Sequence, residues 1–280
     1  MISKFKSNYL TILLVSSLLF GIMLLLYPTV SDYWNSFHQS KAVAGYLEKV
    51  SQMDKSDYND ILAVAQAYNE TLPHSDIPDL NIDEDTEGTY FQTLNITGNG
   101  IMAYVEIPKL NTILPIYHGV DDAILQVAIG HIPGTSLPVG GVGTHSVISG
   151  HRGLPSAKLF SDLDQLVEGD TFLIQVLDRT LVYEVDQILT VTPDDVSALR
   201  IDSQKDYVTL VTCTPYGVNS HRLLVRGHRL ENSMQSARVT AEATQMKPIF
   251  VSPFIMLLMI GIWVALGKIG RFFIEIRQKA

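Results

Sequence analysis

The sequence predicts a mainly β domain, a barrel or a sandwich, preceded by helices and flanked by two apolar segments. Three observations predict it. From Gly100 onward the chain breaks into six to eight short strand-like runs separated by turn residues. Before that, residues 32–72 place apolar side chains at helical spacing. Near each end lies an uncharged stretch long enough to cross a bilayer.

The first apolar stretch runs from Ser7 to Ser31 and the second from Pro248 to Gly267. A helix of ~20 residues rising ~1.5 Å each covers the ~30 Å hydrocarbon core. Lys4 and Lys6 precede the first stretch, and Lys268, Arg271, Arg277 and Lys279 follow the second. Basic residues stay on the cytoplasmic side, so both termini are expected in the cytoplasm and residues 32–247 outside. A cleaved signal peptide would have a shorter apolar run and a small-x-small site close behind it. Ala42-Val43-Ala44 lies too far downstream, which favours an uncleaved anchor. The tails hold six of the 20 basic and one of the 29 acidic residues, leaving 14 and 28 for the outer part, a balance of −14. That disfavours nucleic-acid binding.

Tyr33, Trp34, Phe37, Tyr46, Leu47 and Val50 predict a first helix outside the span. Ile61, Leu62, Ala65, Tyr68 and Leu72 mark one face of a second, ended by Pro73. The stretch from His74 to Gly88 is rich in Asp, Glu and Pro and is either a functional loop or disordered. The strand-like runs are 101–107, 112–117, 146–149, 171–176, 181–185, 207–213 and 222–226, with a short helix near Ala157 to Leu166. Pro133-Gly134, Gly140-Gly141, Glu168-Gly169-Asp170 and Asp178-Arg179 supply turns.

The chain has one cysteine, Cys213, at the end of the run Tyr207 to Cys213. A lone thiol outside the cytoplasm has no disulfide partner within the chain and is prone to oxidation. Either it is a small buried hydrophobe at a strand end or it does chemistry. Cysteine catalysis needs a thiolate, a proton-transfer partner and an oxyanion donor. Among eight histidines, His151 stands out in Ser149-Gly150-His151-Arg152-Gly153, at the end of an apolar run and flanked by glycines. His145 is its nearest competitor. In an extended segment the two would lie ~20 Å apart at ~3.3 Å per residue, so one site cannot use both. His131, His221 and His228 also remain candidates. After Cys213, Thr214-Pro215-Tyr216-Gly217 reads as a turn, and Arg222 opens the returning strand. Arginine stays charged and offers donors in a rigid fork, which suits a developing oxyanion. A strand-edge salt bridge is the alternative for Arg222. Arg226 would share its face ~13 Å further on.

These residues carry a resemblance. Thr209-Leu210-Val211-Thr212-Cys213 matches the Thr-Leu-x-Thr-Cys signature of sortases, the cysteine transpeptidases of Gram-positive cell surfaces. The tract Thr212 to Gly227, the segment Ser149 to Gly153, and Asn99 to Met102 with Glu106 to Lys109 resemble the pilus-associated class C subgroup. The resemblance covers about residues 95–230. It implies a closed β-barrel of about eight strands with N-terminal helices and a transmembrane helix at each end. It implies Cys213 as nucleophile on the Thr carbonyl of an LPxTG-like sorting signal. His151 would act as acid and then base, and Arg222 would position substrate and stabilise the oxyanion. Thr212 would shape the pocket. The partners implied are pilin subunits carrying such signals and an acceptor lysine amine, beside the membrane. A hydrolase or a sortase that anchors proteins to the cell wall would share this chemistry. A non-enzymatic, membrane-anchored β-domain that binds a partner would need all three residues to be incidental.

Many class C sortases carry an Asp-Pro-aromatic lid. This chain has Asp76-Ile77-Pro78-Asp79-Leu80 instead. The expectation is a variant lid, with Asp76 or Asp79 near Arg222 and Ile77 or Leu80 over Cys213. The resulting organisation is 1–31 tail and anchor, 32–94 helical segment and candidate lid, 95–235 barrel, 236–247 linker, 248–267 second span and 268–280 basic tail. No cofactor is expected. Paired metal-ligand spacing, a calcium-loop pattern and a nucleotide-binding glycine loop are all missing from the sequence. Asn69-Glu70-Thr71 and Asn95-Ile96-Thr97 match glycosylation sequons by coincidence in a bacterial setting.

Overall fold

The computed structural model describes residues 2–73, 80 and 84–230. The second apolar stretch, the linker and basic tail around it, and the candidate lid positions Asp76, Ile77, Pro78 and Asp79 lie outside the described residues. Leu80 is described and is half-buried.

Helix α1 spans Ile2–Ser51 as one element, with Pro28 inside it. The helix expected after the first span is therefore the continuation of that span, although Ser31 and Asp32 are residues that could have capped a separate helix. From Leu13 onward α1 is long and apolar enough to cross a membrane, and none of its most apolar stretch is buried in the protein. A core helix would be buried there, so this part of α1 suits a lipid environment. Further along, Val43, Tyr46 and Val50 recur on one face and are buried. The Tyr46 hydroxyl donates to the Met102 carbonyl at 3.2 Å and accepts from the Leu177 N–H at 2.8 Å.

Helix α2, Lys55–Thr71, buries Tyr58, Leu62, Ala65, Tyr68 and Asn69 and stops before Pro73. Its Asn69 amide is held both ways by Leu137, accepting from the N–H at 2.7 Å and donating to the carbonyl at 3.2 Å. Helix α3, Glu84–Gln92, takes up part of the stretch expected to be a loop or disordered. Tertiary contact decides it. Tyr90 is fully buried, its hydroxyl donates to the His131 carbonyl at 3.0 Å, and it accepts from the Gly119 N–H at 2.9 Å.

Eight strands close into a barrel: β1 Ile101–Ile107, β2 Thr112–His118, β3 Ile129–His131, β4 Thr144–Ser149, β5 Thr171–Val176, β6 Arg179–Val191, β7 Asp206–Thr214 and β8 His221–Arg229. A one-turn helix α4, Asp122–Leu125, precedes β3. The order around the barrel is β1-β2-β3-β4-β7-β8-β6-β5, and closure leaves no unpaired edge. Pairs β2–β3 and β4–β7 are parallel and the rest antiparallel. Where a short helix was expected at 157–166, the chain makes a single tight turn at Leu163–Gln165.

Strand alternation separates two cores. Ile148, Leu210, Leu223 and Val225 join the barrel interior. Val147, Val211 and Leu224 point outward and are covered by the turn at Ser197–Leu199, forming a second apolar cluster with Leu199. That outer cluster is the floor on which the candidate site rests.

Among the described residues, His118, His131 and His145 are buried within this fold. His131 bonds to the Ser136 carbonyl at 2.8 Å, His145 to the Arg200 carbonyl and the Thr209 hydroxyl, and His118 to the carbonyls of Gly100 and Thr93. Burial holds all three below the ordinary imidazole value, with His145 pushed down to about 4 and His131 to about 3. Their folded values lie below their unfolded ones, so on acidification the unfolded chain binds protons first. The stability they confer is complete above pH ~6.5 and is lost as pH falls through the folded values, about 4 for His145 and about 3 for His131, at up to about 1.4 kcal/mol per pH unit per histidine. Urea denaturation of the wild type across that window is expected to show this slope. His145→Gln should make it shallower by about one histidine's share, and an unchanged slope would contradict the assignment.

Candidate active site

Cys213 lies at the end of β7 directly opposite Arg222 at the start of β8. Cross-strand partners of this kind hold their Cβ atoms about 4.5–5.5 Å apart on one face of a sheet. On the other side β4 runs parallel to β7, with Ser149 paired to Val211. Two residues beyond that pair stand His151 and Cys213. His151, Cys213 and Arg222 therefore follow the outward-facing parity of Val147, Val211 and Leu224, just past the outer apolar cluster. All three are partly exposed. Arg222 is also the neighbour of Val191 on β6, so the row continues onto an apolar side chain.

The backbone beyond the β4–β7 ladder is tightly fixed. The Gly150 N–H donates to the Val211 carbonyl at 3.0 Å, and the Thr212 hydroxyl, buried and pointing inward, donates to the Gly150 carbonyl at 2.8 Å. Gly150 is required by space: a Cβ there would sit 2.7 Å from both Ile129 Cγ2 and Phe160 Cδ2. Gly153 is required by conformation, with φ at +78°, and a Cβ there would sit 3.0 Å from the Tyr216 ring. The His151 carbonyl accepts the Phe160 N–H at 3.2 Å, which closes the loop after β4.

Arg152 was not singled out by the sequence, although it sits between His151 and Gly153. It ties the two halves of the site together. Its guanidinium donates to the Thr214 hydroxyl at 3.2 Å, pairs with Asp164 and lies 5.9 Å from the centre of the Tyr216 ring. Its Nε is buried without a partner. The segment carrying His151 is thus bonded to the residue next to Cys213. A charged residue inside Gly-His-Arg-Gly was the available signal.

The other candidates separate cleanly. His131 and His145 are buried and bonded on both ring nitrogens. His145 stands at the far end of β4, beside the Tyr207 ring. His228 faces Asp186 at 4.0 Å, and His221 bonds to Ser220. Arg226 makes a two-pronged pair with Asp186 at 3.0 Å on each prong and covers the Tyr207 ring at 4.2 Å. Arg222 differs: among the described residues it makes no ion pair and donates only to the carbonyls of Asn219 and His221. Its fork remains available to a carbonyl oxygen of a ligand. Among the described residues no group of three or more His, Cys, Asp or Glu side chains is arranged to hold a metal ion. A shallow cavity of about 770 Å³ between α1 and the 95–99 turn contains none of the site residues. His151, Cys213 and Arg222 stand at the strand ends and are each partly exposed, so a ligand can reach them from outside the barrel.

Comparison with known proteins gives the same family as the motifs. A family model described as the sortase domain matches residues 105–230. The structure of sortase C1 from Streptococcus agalactiae is similar at 49% identity and a TM-score of 0.66, covering 69% of this chain and 99% of that one. Sortase C of Streptococcus pneumoniae, described for its pilin substrate specificity, is similar at 46% identity and a TM-score of 0.61, covering 68% of this chain and 96% of that one. Sortase SrtE1 of Streptomyces coelicolor is 30% identical over 148 residues, 48% of this chain and 42% of that protein, so the chain spans less than half of that relative's length. With the eight-stranded closed barrel, the chain belongs to the sortase family of cysteine transpeptidases.

Proposed function

We propose that this protein is a class C sortase that cleaves an LPxTG-like sorting signal between Thr and Gly and passes the acyl group to a lysine amine of a pilin. The observation that carries this reading is the pairing of Cys213 with Arg222 across β7–β8, with His151 emerging beside them from β4. Similarity to streptococcal sortase C structures supports the class, and the description of the pneumococcal enzyme supports pilins as substrates.

Cys213 Sγ attacks the Thr carbonyl carbon. The carbonyl oxygen takes up negative charge, and Arg222 donates to it. His151 gives its proton to the departing Gly nitrogen, the C–N bond breaks and a thioester remains on Cys213. An incoming lysine amine attacks the thioester, His151 takes the proton from that nitrogen, and the thiolate leaves as an isopeptide bond forms. Leu189, Val191, Val196 and Ala198, partly buried around the outer cluster, offer an apolar wall for the Leu-Pro portion of the signal. α1 anchors the domain, with residues 32–247 on the outer side of the membrane, and Pro248 to Gly267 would form a second span. Segment 76–80 would act as a lid over the site, consistent with its place between α2 and α3.

With a fluorescence-quenched LPxTG peptide and the full chain in detergent, Cys213→Ala should abolish cleavage and His151→Ala should lower kcat/KM about 10²–10⁴-fold. Arg222→Ala should lower it about 10²–10³-fold, and Arg222→Lys, which keeps charge but loses the fork, should recover only part. Cleavage by Cys213→Ala at the wild-type rate would refute the reading. Thr212→Val leaves the Gly150 carbonyl unpaired and should cost about 1–3 kcal/mol in urea denaturation, with loss of activity; unaltered stability would remove Thr212 from its supporting role. Because α3 begins at Glu84, the lid is tested by deleting 74–83. Thiol labelling of Cys213 should speed up, and an unchanged rate would dispose of the lid.

A further inference from the structure

We infer that Tyr33, Trp34 and Phe37 form a lipid-interface docking surface that seats the barrel on the bilayer with its site-bearing end against the headgroups. The inference rests on reading the apolar half of α1 as a membrane anchor. Past that half, α1 has two opposed faces. Asp32, Asn35, Gln39, Val43 and Tyr46 fall on one side of the helical wheel and hold the barrel. Val30, Tyr33, Trp34 and Phe37 fall on the other at i, i+3, i+4 and i+7. The second set is exposed, Trp34 to 64% and Phe37 to 59%, and the ring contact that Trp34 and Phe37 make is with His38, itself exposed, so it does not shelter them from water. The rings lie about 4–10 Å beyond Val30 along the helix at ~1.5 Å per residue. That is the depth of the polar interface outside the hydrocarbon core, where Trp and Tyr collect. Because α1 is unbroken from Ile2 to Ser51, the aromatic face continues the membrane-facing surface of the anchor.

The opposite face of the same turns carries the site toward that level. Asp32 accepts the Lys158 N–H at 2.7 Å, and Asn35 donates to the Ser156 carbonyl at 2.7 Å. Both partners belong to the segment that leaves β4 through His151. The other end of the barrel, at Leu177 in the β5–β6 turn, is held by Tyr46, eleven residues beyond Asn35 along α1 and so ~16 Å further from the membrane. The two attachments fix which end of the barrel faces the lipid. The occupant of the aromatic face is therefore the lipid interface, and the site opens beside it, suited to a peptide displayed close to its own membrane tether.

The test uses the full chain in dioleoyl phosphatidylcholine vesicles. With Trp263→Phe, Trp34 is the sole indole, since the chain has two tryptophans. Its emission should shift to shorter wavelength and be quenched most by lipid spin-labelled near the glycerol. With Cys213→Ser, a nitroxide on Lys158→Cys should be relaxed strongly by a nickel-chelating headgroup, and one on Asp178→Cys much less. Flotation with the vesicles reports the anchor separately. A chain that floats with Trp34 emitting as in water, or with both nitroxides relaxed equally, overturns the docking surface and leaves the anchor standing. A chain that does not float overturns both.

Discussion

The parallel pairing of β4 with β7 is the constraint on which the site depends. These strands are more than sixty residues apart in sequence, and nothing local brings them together. Once Ser149 is set against Val211, the alternation of the strands sends Val147, Val211 and Leu224 to the outer cluster and leaves His151 and Cys213 on the same outward face. A slip of one residue in β7 would turn Cys213 into the barrel and Thr212 out. The Gly150–Val211 and Thr212–Gly150 hydrogen bonds act against that slip where the ladder ends.

The remaining parts of the site are fastened to this pairing. The β7–β8 hairpin adds Arg222 as a cross-strand neighbour, so two pairings of different direction converge on one sulfur. Arg152 then bonds the His151 loop to Thr214 and Asp164, with Tyr216 packed over Gly153. The candidate catalytic side chains thus stand at strand ends, and the loops around them are held by the Thr212–Gly150, Arg152–Thr214 and Arg152–Asp164 contacts. Such an arrangement limits motion at these side chains while leaving them partly exposed.

Much of this was legible in the sequence. The strand-like runs from Ile101 to Val225 correspond to barrel strands because period-two apolar patterning is a local signal. The motif segments led to Cys213, His151 and Arg222, and the structure brings those three segments to one face. What escaped notice depended on distant partners. β3, at three residues, is too short to show a pattern and exists through its pairing with β2 and β4. β6 reaches Val191, well beyond the expected 181–185, because β8 pairs along it past an irregularity at Val185–Gln187. α3 looked like an acidic loop and is pinned by Tyr90 to His131 and Gly119. Arg152 looked like a neighbour of His151 and proved to be the tie between two loops.

The proposed chemistry turns on whether Cys213 is the nucleophile that carries the acyl group from a sorting signal to an amine. Intact-mass analysis of the full chain mixed with an LPxTG peptide tests it most directly. A nucleophilic Cys213 gives a thioester adduct that disappears when a lysine-like amine is added, with a peptide–amine product appearing in its place. Peptide cleavage with no adduct on Cys213 at any time, in the wild type and in the chain lacking 74–83, together with unchanged product in Cys213→Ala, would contradict it.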